Sequence, residues 1–258
     1  MNVVAVVSAV GGAGRTTLCG ALAVLLARRR RQVVALELDG RNHLGTYLGL
    51  DALPGRGLAH ALLDPRSAWH AHTFRSADGV LFVPYGTLAG DQISACEAKL
   101  AALPYWLQGV LADIDVDRDG VVLLDTERYP SQQAEQAIRC AHLVLCVTPP
   151  DPASAVSLAA VLAHLRRPGT AFYIVVNRVN PAHPMHGDVL ALLRARVGEA
   201  ALLPQRMHLD EAVPDAFARG AWVFDDAPQS QMSHDLHGLA NWLDAWLVKR
   251  TQGDCHGA

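Results

Sequence analysis

Charge of one sign is in short supply. The 258 residues carry 22 lysines and arginines against 25 aspartates and glutamates, a formal net charge of −3, and the pI is near 6.4. That balance excludes a molecule-wide electrostatic footprint for nucleic acid, so no sequence-specific nucleic-acid partner is expected. Paired cysteines are lacking too. Cys19, Cys96, Cys140, Cys146 and Cys255 show no C-x-x-C spacing, and three lie in apolar runs. They read as reduced core residues of a cytoplasmic protein rather than a disulfide framework. No stretch reaches the roughly 18 to 20 apolar residues of a membrane span. The first apolar strand begins at once, leaving no room for a signal peptide. Internal repeats and dividing linkers are missing as well. One domain over residues 1–250 is therefore expected, followed by a disordered tail from 251 to 258.

What is present is material for a large core: 51% of the residues are hydrophobic and 18% charged, with 21 glycines and 14 prolines to punctuate loops. The organising stretch is Val3 to Thr17. Val3–Val7 is an uninterrupted β-branched and apolar run, the pattern of a strand buried on both faces of a parallel sheet. Gly11-Gly12-Ala13-Gly14 follows, then Arg15-Thr16-Thr17 opens a helical pattern. Glycines there let backbone N–H groups approach an anion, and the helix N-terminus adds partial positive charge. A hydroxyl in the first turn suits a phosphate-bound Mg²⁺, and Thr16 is the candidate ligand. Gly11 to Thr17 thus form a candidate phosphate cradle.

Strand and helix then alternate. Leu18–Arg28 is apolar nearly all round, so it reads as a buried helix. It ends in Arg28-Arg29-Arg30-Arg31, read as a solvated cap at the negative end of the helix dipole, with DNA or an acidic lipid surface as the alternative. Val33–Leu38 delivers Glu37, Asp39, Arg41 and Asn42 to a strand's carboxyl end, where open parallel sheets bind ligands. Gly57–Asp64 reads as a short amphipathic helix, and the segment around Asp78-Gly79 as a hairpin-like pair. His70 and His72 alternate along an extended segment, and His183 and His186 share a proline-rich loop. Neither pair has a third ligand placed by the sequence. Gly90–Asp113 is helical with a break near Pro104, and Trp106 and Leu107 are its packing anchors. Gly120–Asp125 is a buried strand ending in a carboxylate, the form that holds magnesium through water.

Leu143–Val147 and Ala171–Val176 are further buried strands, flanking a helix over Ala155–Arg166. Leu202-Leu203-Pro204 reads as a short strand entering a loop. Helices over Asp210–Ala218 and Ser230–Val248 complete the chain. The last has an apolar face at Leu236, Leu239, Trp242, Leu243, Trp246 and Leu247. Asp235 and Asp244 leave its polar face short of cations, which favours packing on the core over membrane binding. The fold class is α/β, a doubly wound, mostly parallel sheet with helices on both faces.

The loop resembles the K-G-G-x-G-K-[ST]-[ST] phosphate loop of MinD/ParA-type ATPases. Gly11, Gly12, Gly14, Thr16 and Thr17 fit it, while Val10 and Arg15 stand where the family has lysines. The resemblance implies ATP and Mg²⁺ as ligands, bound between the protomers of a homodimer. Asp39 would orient the attacking water, Glu37 would help through the metal's water shell, and Arg15 would lie near the β-phosphate. Thr16, Asp39 and Asp125 would serve the metal, although the family's proline after the strand-end aspartate is lost in Asp125-Thr126-Glu127. Asn177-Arg178 matches the pair that supplies the adenine contact, and Pro204 falls in the segment that wraps the base. With both lysines gone, hydrolysis is expected to be slow or absent. The segments GLAHALLD, VLFVPYGTL, LLPQRMHLDEAV and LANWL look like the cellulose-biosynthesis branch of the family. That branch implies protein partners in a membrane-embedded cellulose synthase complex, with membrane association indirect at most. A ParA-type segregation ATPase and a metabolic enzyme of the same fold remain as alternatives.

Overall fold

The structure, a computed structural model, describes residues 1–253. Cys255 and residues 254–258 of the expected tail lie outside the described residues, and 251–253 continue the last helix. In chain order the elements are β1 (Asn2–Val7), α1 (Arg15–Arg28), β2 (Val33–Glu37), α2 (His43–Tyr47) and α3 (Leu58–Leu63). After a 3₁₀ turn at Trp69–His72 come β3 (Phe74–Arg75), β4 (Leu81–Val83), α4 (Gly90–Ala102), α5 (Trp106–Ala112) and β5 (Val121–Asp125). Then follow α6 (Gln132–Cys140), β6 (Leu143–Thr148), α7 (Pro152–Leu165), β7 (Ala171–Val176) and α8 (Pro184–Val197). A 3₁₀ turn at Glu199–Ala201 precedes α9 (Ala212–Ala218), α10 (Val223–Asp226) and α11 (Gln231–Gly253).

The seven strands form one sheet in the order β3-β4-β2-β5-β1-β6-β7. All neighbours are parallel except β3 and β4, which pair antiparallel around Asp78-Gly79. Strand residues alternate between two cores, which is why the strands read as unbroken apolar runs. Val4, Val6, Leu123 and Leu145 join the layer of α1 and α11. Val3, Ala5, Val7, Leu124 and Cys146 join the layer of α5 to α8. Helix α1 is buried continuously from Leu18 to Leu26, because the sheet lies under it and α11 crosses its outer side. Truncating a fully buried leucine there, such as Leu22, costs about 2–5 kcal/mol.

The apolar stripe of α11 packs inward through Leu236, Leu239, Leu243 and Leu247, with Trp242 and Trp246 partly buried beside it. The arginine run after α1 is not a free solvated cap. Arg28 bonds Asp78 and Asp225, each at 2.7 Å, Arg29 bonds Asn241 at 2.7 Å, and Arg31 bonds Asp244 at 2.6 Å. Arg28, Arg29 and Arg31 tie α1 to α10 and α11, while Arg30 is exposed and makes no such bond among the described residues.

Other boundaries moved for local reasons. Helix α7 starts at Pro152 rather than Ala155, because Asp151 caps it by accepting from Ser154 N at 2.9 Å and proline suits the first turn. The Leu202–Pro204 strand shrinks to one bridge between Leu202 and Ile174, as Pro204 has no N–H with which to extend a ladder. His70 and His72 lie in a 3₁₀ turn rather than an extended segment. That turn is closed by Thr73 N bonding to His70 O at 3.2 Å, while Trp69 packs on the core.

Candidate nucleotide-binding site

The loop after β1 is held open by its backbone. Gly12 and Gly14 have φ of 69° and 94°, left-handed values that side chains disfavour. Gly14 is the N-cap of α1 and offers no side-chain acceptor, so the first-turn amides of α1 lack a side-chain cap and suit an anion. Ser8 Oγ accepts from Val10 N at 3.1 Å, which fixes the entry to the loop. The end of β7 supports the other side. Asn177 Nδ2 donates to Ala13 O at 2.7 Å, and Arg178 Nη1 donates to Gly12 O at 3.3 Å. A Cβ on Gly14 would lie 2.3 Å from Asn177 Nδ2.

Parallel register brings the acidic groups alongside. Val6 of β1 and Glu37 of β2 both sit opposite Asp125 of β5. Asp125 is fully buried, and neither carboxylate oxygen has a hydrogen-bond partner among the described residues. Burial pushes its pKa up to about 7, with the Thr16 hydroxyl and the charges of Arg15 and Arg41 pulling the other way. A fully buried, unsatisfied carboxylate beside a threonine hydroxyl is an incomplete hard-oxygen donor set, and Mg²⁺ fits it. Among the described residues no group of three or more His, Cys, Asp or Glu side chains is placed to hold a metal by itself. The histidine pairs fall outside any such set, and His183 and His186 simply stack at 4.8 Å.

Glu37 faces α2. Its carboxylate accepts from Leu44 N at 2.7 Å and Gly45 N at 3.4 Å, while burial and then Asp125 push its pKa up to about 8. Asp39 is bound by Arg41, which donates from Nη2 at 2.6 Å. Burial raises the Asp39 pKa, but the Arg41 bonds and the nearby Arg15 outweigh it and leave the group below its ordinary value. Arg15 is 3% exposed. Its Nε donates to Thr126 O at 2.9 Å, its Nη1 to Val10 O at 3.1 Å, and its Nη2 lies 3.6 Å from Asp39.

Two cavities share the loop. One, of about 250 Å³, runs from Gly12, Gly14 and Thr17 past Asn177 and Arg178 to the segment His208–Glu211. Pro204 is exposed and is not part of this lining; the wall comes from the residues four to seven positions later. The other, of about 400 Å³, opens between Gly11 and Arg15, the Asp39–Arg41 turn, and Glu127, Arg128 and Ser131. Sequence reasoning missed His208–Glu211, Glu127 and Arg128 because they sit on loops without periodicity. It also missed Tyr47, whose hydroxyl lies 2.8 Å from Thr17 Oγ1 and whose ring stacks on Trp222.

A family model described as "Cellulose biosynthesis protein BcsQ" matches residues 1–243. The chain belongs to the BcsQ family. Among relatives, the antiactivator FleN of Pseudomonas aeruginosa is 25% identical over 254 residues, covering 95% of this chain and 87% of its own. The cellulose biosynthesis protein BcsQ of Escherichia coli is 23% identical over 235 residues, 90% of either chain. Among solved structures, the ATP complex of a Cyanothece McdA variant superposes with a TM-score of 0.78 at 16% identity, over 94% of this chain and 96% of that one. MinD of Pyrococcus horikoshii complexed with Mg-ADP gives 0.73 at 20% identity, over 94% and 96%. The BcsQ-family chain therefore has the MinD/McdA fold. Among the described residues no helix is long and apolar enough to cross a membrane.

Proposed function

We propose that this BcsQ-family chain is an ATP- and Mg²⁺-dependent dimeric regulator of a bacterial cellulose synthase complex, and that it binds nucleotide far better than it hydrolyses it. The observation that carries the second half is Arg15. In place of a flexible lysine on the loop stands a buried guanidinium whose donors are committed to Thr126 O, Val10 O and Asp39. A mobile point charge that follows phosphoryl oxygens into the transition state is thereby absent. Val10 adds no charge and packs against the core.

The residues that would hold the nucleotide are the amides from Gly11 to Thr17, with Asn177, Arg178 and His208–Glu211 around the nucleoside. Thr16 and Asp125 would hold Mg²⁺, with Asp39 nearby. The metal supplies charge neutralisation between the terminal phosphates. Asp39 would orient the attacking water, and in the ligand-free arrangement Arg41 holds it. Phosphate binding that rearranges the Asp39–Arg41 turn gives the two-state element a nucleotide switch needs. Family membership supports a role with protein partners in cellulose production, exercised in the cytoplasm and brought to the membrane through those partners. The ParA-type reading requires a free basic surface, whereas Arg28 and Arg31 of the basic run are ion-paired to Asp78, Asp225 and Asp244.

Calorimetry and sedimentation test the proposal together. ATP with Mg²⁺ is expected to bind at sub-millimolar concentration and to drive dimerisation that ADP does not. Turnover is expected below roughly one per second, the lower edge of ordinary enzyme rates. A dimer equally populated with ATP, ADP and no nucleotide refutes the switch. Turnover above that rate refutes the account of Arg15.

A further inference from the structure

Three arginines line the 400 Å³ cavity on the far side of the loop, and they are not equivalent. Arg15 is locked by its three partners. The other two stand at the mouth. The Arg41 side chain is 52% exposed and bonded to Asp39. Arg128 is exposed, and no hydrogen bond or ion pair joins its side chain to another described residue. The acids beside them are Asp39, already bonded to Arg41, and Glu127.

The two cavities flank the same glycine loop, one lined by Gly12 and Gly14 and the other by Gly11 and Arg15. The nucleoside cavity also meets Asn177. The other lies close to the end of β5 and the Asp39–Arg41 turn. A phosphate chain laid along the loop amides away from the nucleoside cavity delivers its last phosphate to this second cavity. An uncompensated guanidinium at that point matches an anion of more than one charge by geometry and by hydrogen-bonding capacity. We propose that Arg128, assisted by Arg41, forms the terminal-phosphate subsite and makes this chain distinguish nucleoside triphosphate from diphosphate. The assignment rests on the nucleotide-binding reading above. It places the charge missing at Val10 on the loop after β5, a different element from the one that carries it in the family motif.

The test is equilibrium binding by the full chain, with Mg²⁺, of a non-hydrolysable ATP analogue and of ADP. The Arg128→Ala, Arg41→Ala, double and Arg128→Lys variants are compared with the unaltered protein, and thermal melts confirm that each is folded. The unaltered chain is expected to prefer the triphosphate. Arg128→Ala should weaken the triphosphate at least about tenfold while leaving ADP within about twofold, the double variant should lose the preference, and Arg128→Lys should retain part of it. Parallel weakening of both nucleotides, or an unchanged preference in the double variant, overturns the subsite while leaving nucleotide binding intact. An unaltered protein that binds neither nucleotide overturns the nucleotide reading itself, and this assignment with it.

Discussion

Replacing Asp125 with asparagine should make the ligand-free protein more stable and the liganded protein weaker. Asp125 is fully buried with both carboxylate oxygens unpartnered among the described residues, and burial carries its pKa from an ordinary 3.8 to about 7. At about 1.4 kcal/mol per tenfold change in proton affinity, keeping that group ionised costs roughly 4 kcal/mol. Because the folded pKa lies above the unfolded one, the cost is absent below about pH 4. It grows as pH rises and is complete above about pH 7. That cost is already net of the attraction of Arg15 and Arg41; asparagine does not carry it, but burying its unpartnered amide offsets part of the gain. A gain of about 1–3 kcal/mol at pH 8 is therefore expected, shrinking towards zero near pH 4. Urea denaturation of both proteins between pH 4.5 and 8.5 without nucleotide measures it, and thermal melts with Mg-ATP measure the opposite effect. The unaltered protein should gain stability from Mg-ATP, and Asp125→Asn should lose most of that gain. Equal stability of the two ligand-free proteins at pH 8, or an advantage that does not change with pH, refutes the reasoning.

Gly14→Ala should abolish nucleotide binding, since its φ of 94° and the Asn177 amide 2.3 Å from the new Cβ both resist it. Gly49→Ala, at φ 98° with open space around it, should cost only about 1 kcal/mol and leave binding intact by calorimetry. Asn177→Ala removes the bond to Ala13 O and should cost about 1–2 kcal/mol in denaturant, with ADP binding about tenfold weaker. Arg31→Ala should cost about 1 kcal/mol by loosening α11 through Asp244, and a loss below about 0.3 kcal/mol argues that the pair is incidental.

The sheet was legible because its strands are apolar on both faces and because glycine, aspartate and asparagine stand at three strand ends. Val3–Val7, Gly120–Asp125 and Ala171–Val176 each announced both an element and the residue it delivers. The stripe of α11 was legible for the same reason, three- and four-residue spacing. Partnerships were not. Nothing local to Arg28–Arg31 tells that its partners are Asp78, Asp225, Asn241 and Asp244, since those pairings span 50 to 213 residues. Arg15 shows the same limit within the site. Its position was readable, but its engagement with Thr126 O, 111 residues away, depends on β1 and β5 lying side by side. Pro204 is exposed and does not line the cavity, whose wall on that side begins at His208 after the chain has turned past it.

The loop near the start of the chain is closed by an amide from near the end of the sheet, Asn177 reaching Ala13 across 164 residues. A ribosome that has released β1 and α1 has therefore made a glycine turn without its support. Long-range contacts of this kind form late, after the intervening strands have paired. The glycine loop gains this support only when β7 has docked, so the proposed nucleotide site depends on the assembled sheet and not on the motif alone. A chain cut short of β7 carries the glycine motif without the Asn177 amide that holds it.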